Sequence, residues 1–240
     1  MKINLLTCTQ DRPEALAVCR RYIERSFCRP DQWLIVSDGK APVEQKDMAG
    51  VDIVCLRRER FPVEPDHTLP LNLAASIPLW EDHVGELLVF WEDDDWYAPE
   101  YLDQVKKAFT DNPNLLLYGQ SFAPYYRLAA KEWAIMPNDK HSSLCATALL
   151  ITPDTQRMLE FAIADVNSPF VDIRMWRWIN PALAELHNLK TVVGIKQMPG
   201  IPGQTMGWKG GDMFHPDTSG LVLDSWVGAE DAAAYRRIVR

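Results

Sequence analysis

The sequence predicts an α/β domain: a mostly parallel central sheet with helices on both faces. Three observations carry this reading. Short apolar runs alternate with segments of helical periodicity through the first half of the chain. The runs Trp33-Leu34-Ile35-Val36 and Leu87-Leu88-Val89-Phe90-Trp91 read as buried strands. Each of these runs ends in acid, Asp38 after the first and Glu92-Asp93-Asp94-Asp95 after the second. In such sheets ligands bind outside the carboxyl ends of the strands, so these acids belong on one edge despite their separation in sequence.

The elements follow in order. Lys2 to Thr7 is an apolar strand. Pro13 suits the first position of a helix, where its missing N–H costs nothing, and Leu16, Cys19 and Ile23 continue at helical spacing to about residue 26. Trp33 to Val36 and Val51 to Leu56 are the second and third strands. Leu71 to Ile77 reads as a helix stopped near Pro78, and Leu87 to Trp91 as the fourth strand. Pro99 opens a helix with Leu102, Val105 and Phe109 on one face. Beyond it, Leu115 to Tyr118, Phe122 to Tyr126 and Ala146 to Ile151 read as strands. Pro153 opens a helix through Ile163, Phe170 to Ile179 is a further helix, and Thr191 to Ile195 is a last strand. Residues 196–211 form a Gly/Pro-rich loop of the kind that serves as a lid or binding loop, and the tail from Gly220 reads as a terminal helix. No linker interrupts the chain, so residues 1–240 are read as one domain.

Composition narrows the function. The chain has 240 residues, 47% hydrophobic and 10% aromatic with nine Trp, enough to bury a core and to exclude global disorder. The net charge of −8 argues against a protein that holds nucleic acid mainly by neutralising phosphates, while leaving room for a local basic groove. No apolar run approaches the roughly 18 residues that span a bilayer, and the first residues lack a signal-peptide pattern. Five cysteines, odd in number and without a CxxC pair, argue against a disulfide framework or a Cys-rich zinc site. The expected setting is a reducing cytoplasm, that of a host if the source is viral.

Four consecutive acids at the end of a buried strand repel one another and must be solvated, paired or metal-bound. A hard dication such as Mn²⁺ or Mg²⁺ suits their oxygens and keeps positions for substrate phosphates. The alternative is a solvated turn with Asp95 near the N-terminus of the next helix, favoured by its dipole.

Three segments together resemble the GT-A-fold glycosyltransferases, most closely the family 2 type: Cys8-Thr9-Gln10-Asp11-Arg12-Pro13-Glu14, Ser37-Asp38-Gly39-Lys40, and Asp93-Asp94-Asp95-Trp96-Tyr97-Ala98-Pro99. Small soluble enzymes resembling this layout also occur in bacteriophages. The resemblance covers roughly residues 2–110 well. It implies a Rossmann-like nucleotide-diphospho-sugar transferase fold, with 1–110 as the nucleotide-sugar-binding half and 111–240 as the acceptor-binding and catalytic half. It implies that Thr9, Arg12, Asp38, Asp93 and Asp94 bind the donor, Asp38 through the base and the acids through ribose or metal. Asp93 and Asp95 are the implied metal ligands, with Asp94 able to take either role. Gln10, Asp11 and Ser37 depart from the family pattern and leave the base open.

Further along, Asp172 matches the family's catalytic acid and is the candidate general base, against the plainer reading of an acid at a helix N-terminus. His215 is a candidate further metal ligand, although lone histidines are more often structural. Lys196 and Lys209 flank the loop and could neutralise a leaving diphosphate, or simply be solvated. Trp96 and Trp208 sit beside proposed ligand sites and are candidate stacking platforms; Arg57, Arg58, Arg60 and Asn72 are weaker pocket candidates. The expected activity is metal-dependent transfer of a sugar from a nucleotide-diphosphate donor to a hydroxyl. The acceptor is a saccharide, a protein, a small molecule or a hydroxymethylated base in DNA. The rivals are a nucleotidyltransferase and a non-catalytic nucleotide-sugar-binding module.

Overall fold

The computed structural model describes residues 1–65, 67–168, 170–198 and 213–238. Its first half is β1 (Ile3–Thr9), α1 (Pro13–Arg25), β2 (Gln32–Ser37), β3 (Asp52–Arg57), α2 (Leu69–Ser76), β4 (Leu87–Phe90), β5 (Trp96–Tyr97) and α3 (Tyr101–Asp111). The second half adds β6 (Leu117–Gln120), β7 (Phe122–Arg127), β8 (Glu132–Pro137), β9 (Thr147–Leu150), α4 (Pro153–Ile163), α5 (Val171–Trp178), β10 (Ala184–His187), β11 (Val192–Lys196), β12 (His215–Pro216), α6 (Val222–Val227) and α7 (Ala229–Ile238).

Seven strands form the main sheet in the order β10-β6-β9-β4-β1-β2-β3. All neighbours are parallel except β9, which runs antiparallel to both β4 and β6. The strand pleat sends successive side chains to opposite faces. Leu5, Trp33 and Leu87 therefore pack with α1, α3 and α7, while Leu6, Leu34 and Leu88 pack with α2, α4 and α5. This is why these strands read as continuous apolar runs rather than alternating ones. A second sheet, β12-β8-β7-β11-β5, lies beyond it. Strands β6, β9 and β10 come from the second half of the chain, so both halves share the main sheet.

Local chemistry sets several boundaries. Pro13 opens α1, and its buried stripe is Ala15, Leu16, Cys19, Tyr22 and Ile23. Thr152 caps α4: its hydroxyl accepts from Thr155 N at 3.2 Å, while Thr152 N donates to the Thr155 hydroxyl at 2.9 Å, with Pro153 in the first turn. Strands β5, β8 and β10 were not expected from the sequence. The two residues of β5 are too short to carry a period, and β10 is a half-exposed edge strand. The apolar run from Ala146 begins as a 3₁₀ turn and becomes strand only at Thr147.

Candidate active site

Strand register gathers the motif residues. Thr9 at the end of β1 pairs with Ser37 on β2, and Leu6 pairs with Phe90 on β4. The segments after these strands, carrying Arg12, Asp38 and the four acids, thus leave the sheet at one edge. Thr7 pins two of the strands together: its hydroxyl donates to Trp91 O at 2.7 Å and accepts the indole N–H of Trp33 at 2.9 Å. Gly39 is required by a close approach, since a Cβ there would lie 2.5 Å from Asp11 Oδ1. That carboxylate accepts the N–H of Lys40 at 2.9 Å, and Asp11 itself sits at φ 45°. The turn after β1 and the turn after β2 are therefore locked to each other.

The acids are buried and paired with cations. Arg12 spans two of them, Nη1 to Asp93 Oδ1 at 2.8 Å and Nη2 to Asp94 Oδ2 at 2.7 Å. Thr9 Oγ1 donates to the other oxygen of Asp93 at 2.6 Å. Lys196, at the end of β11, lies 3.1 Å from Asp95 Oδ1, 3.5 Å from Glu92 Oε2 and 4.0 Å from Asp94 Oδ1. Burial pushes Asp93 up to about 6 although Arg12 opposes it. Asp94 feels the same burial, yet Arg12 and Lys196 hold it down, to about 2. Burial would lower the Lys196 ammonium, but Asp94, Asp95 and Glu92 raise it well above its usual value.

Four carboxylates face these two cations, a formal excess of two negative charges. Asp95 carries the clearest sign of that excess. It is fully buried, burial drives its pKa well up, Oδ1 is taken by Ile195 N and Lys196, and Oδ2 has no hydrogen-bond partner among the described residues. Glu92, Asp95 and the Cys145 thiol offer ligand atoms all within 4.8 Å of one another. An orphaned buried carboxylate oxygen beside a half-exposed glutamate is a donor set that fits a hard dication.

The acids Glu92, Asp93 and Asp94 line a cavity of about 240 Å³ together with Thr9, Arg12, Asp38 and Lys196. Asp172, at the start of α5, lines the same cavity. Burial pushes it up to about 6, while the N–H of Ile173 donates to Oδ1 at 2.8 Å and favours the charged form. At the other end, Asp38 is buried with one oxygen held by Arg58 at 3.1 Å and the other without a hydrogen-bond partner among the described residues. Arg58 is fixed in turn by Glu64 and by Asn72 Oδ1, the latter at 2.8 Å. Asp38 and Gln10 also border a second cavity of about 700 Å³, lined by Lys40, Arg57, Arg60 and Phe61.

The structure thus brings together Thr9, Arg12, Asp38, Asp93, Asp94, Asp172 and Lys196. It places three expected residues elsewhere. Asp95 does not line the cavity, because β11 holds its carboxylate inward. His215 is exposed on β12, against the Trp133 ring at 5.0 Å, and is not among the cavity residues. Trp96 is 8% exposed and donates its N–H to Asp231, so it is a packing residue rather than a platform. Trp208 and Lys209 lie outside the described residues. Several cavity residues carry no sequence signal; His67, Tyr125, Ser143 and Cys145 are among those that reach it only through tertiary folding. Glu92 is legible in the sequence only as part of the acidic run, and the structure sets it at the cavity.

No protein-family profile matches the sequence, and no curated protein matches it. Solved structures do. The crystal structure of Staphylococcus aureus TarS 1–349 aligns with a TM-score of 0.53 at 13% identity, over 81% of this chain and 60% of that one. The same TarS fragment in complex with UDP-GlcNAc aligns at 0.52 and 11% identity, over 83% and 60%. This chain therefore spans about 60% of the length of those structures. At such identity the likeness speaks to the fold alone, a mixed α/β unit on a largely parallel sheet.

Proposed function

We propose that this chain is a glycosyltransferase that moves a sugar from a nucleotide-diphosphate donor to a hydroxyl acceptor. The observation that carries the proposal is a single cavity with a cation–carboxylate cluster on one wall and the Asp172 carboxylate on another. The base of the donor lies toward Asp38, whose free buried oxygen suits a ring N–H. The diphosphate lies by Arg12 and Lys196. Asp172 takes the proton from the acceptor hydroxyl as its oxygen bonds to the anomeric carbon. The bond from that carbon to the diphosphate oxygen breaks, and the diphosphate leaves with the electron pair beside the two side-chain cations. A Mn²⁺ or Mg²⁺ held by Glu92 and the neighbouring aspartates would offset charge on that diphosphate. His215 has no part in this reading.

The test is a melting-temperature panel of nucleoside diphosphates and nucleotide sugars, with and without Mn²⁺. Stabilisation by a nucleotide sugar, with release of nucleoside diphosphate on turnover, supports the reading. Release of pyrophosphate would identify nucleotidyl transfer instead, and binding without turnover a non-catalytic module.

A further inference from the structure

We infer that the outward face of α5 is the docking surface for the acceptor, and that this acceptor is a nucleic-acid strand. The inference rests on the sugar-transfer reading and names the substrate class of the same site.

Helix α5 turns Val171, Met175 and Trp176 into the core, and Asp172 toward the cavity. At 100° per residue Phe170, Ile173, Arg174 and Arg177 lie away from that core, and Trp178, at the flank beside Val171, is exposed at the end of the helix. No acid lies on that face. Phe170 is 48% exposed and Trp178 41%, and the 52%-exposed ring of Phe161 on α4 lies under the Arg174 guanidinium at 5.2 Å. Among the described residues five aromatic rings stand this exposed, and three of them are on this helix pair. Arg174 lies 3.9 Å from Asp165, and Arg177 enters no ion pair among the described residues.

The face is continuous with the site. Phe170 both belongs to it and lines the cavity, two residues before Asp172. The row Phe170, Arg174, Trp178 places ring, cation and ring about 6 Å apart along the helix axis. Aromatic faces with guanidinium groups between them suit a polymer of flat rings joined by anionic links: bases stack on the rings and phosphates meet the arginines. A strand lying here would present a single nucleotide to the cavity at the N-terminal end of the helix, where Asp172 waits. The net charge of −8 opposes broad phosphate binding, so the contact is confined to this local patch.

The experiment is fluorescence anisotropy with a labelled 20-nucleotide single strand, titrated at several salt concentrations. Binding is expected, tighter than to the same sequence as a duplex, because a duplex hides its base faces. Trp178→Ala should weaken it roughly five-fold or more. Arg174→Ala with Arg177→Ala should lower the salt slope by about 1.4, for two phosphate contacts at about 0.7 each. Lys107→Ala on α3, an exposed cation far along the chain, should leave it unchanged. Unchanged melting temperatures establish that the variants fold. Failure of the wild type to bind at low salt, or variants that bind like wild type, overturns the inference. So does displacement of the strand by a neutral oligosaccharide, which would make the face a glycan site. Donor binding is measured separately by the melting shift with a nucleotide sugar. If that is absent while the strand still binds, the sugar-transfer reading fails and the docking surface stands.

Discussion

Asp172 is placed where burial and backbone donation pull its ionisation in opposite directions, and burial prevails. With its pKa raised to about 6, the carboxylate form that can accept a proton is present above that value and is lost as pH falls through it. Sugar transfer should therefore show an acidic limb near pH 6, read from a kcat profile. Asp172→Asn should lower kcat by about 10²- to 10⁴-fold with little change in donor affinity. An unchanged kcat would remove Asp172 from the mechanism. Arg12 acts differently, since it neutralises two buried carboxylates at once. Arg12→Ala leaves both unpaired and should cost about 3–5 kcal/mol in urea unfolding. The position of Arg12 is legible in the sequence, because it follows a buried strand whose end is easy to see; Asp172 opens a helix and is reached only through the family resemblance. The register within Glu92 to Asp95 is not legible. Four adjacent acids carry no periodicity, and only the N–H of Ile195, a hundred residues on, decides that Asp95 turns inward while Glu92 stays half-exposed at the cavity.

The terminal helix α7 extends the same logic to an element. Asp231 is 3% exposed and accepts from Arg21 and Arg25 of α1 and from the indole N–H of Trp96. Tyr235 donates its hydroxyl to Asp94 O at 3.1 Å. The helix thus braces the acidic segment from behind, at its peptide carbonyl and at the residue following Asp95. Asp231→Ala should destabilise the fold by about 3 kcal/mol or more, since two arginines and an indole lose their acceptor. Tyr235→Phe should cost about 1 kcal/mol and weaken donor binding, which a parallel calorimetric titration would register. A stability loss with unchanged donor affinity would confine α7 to a scaffolding part. The helix itself could be read from its Ala-rich, acid-first pattern. Its role could not, because the partners that Asp231 and Tyr235 bond lie more than a hundred residues away in sequence. Strands β8 and β10 were missed for a related reason: they owe their form to pairing with β7 and β6 rather than to a pattern of their own.

Across the whole molecule, the parallel order β4-β1-β2-β3 brings several acids and few cations to one sheet edge, and something must settle the difference. Without a metal, burial answers by favouring the protonated acids: Asp93 is raised to about 6 and Asp95 is raised well above its usual value. A dication binding there must displace those protons, so its affinity should rise with pH. At saturating Mn²⁺ and nucleoside diphosphate, about a hundred times their dissociation constants, stabilisation of about 2.7 kcal/mol is expected. For a chain of this length that is a melting-temperature rise of roughly 5–10 °C. The sign with pH follows from the raised carboxylates. Protonation competes most below about 6, so the Mn²⁺-dependent part of the rise should shrink from pH 7.5 to pH 5.5. Arg12 and Lys196 keep their charge throughout, so any rise from nucleotide alone should change far less. A Mn²⁺ effect that is flat across this range would place the metal away from Glu92 to Asp95, and would leave Arg12 and Lys196 as the cations that meet the diphosphate.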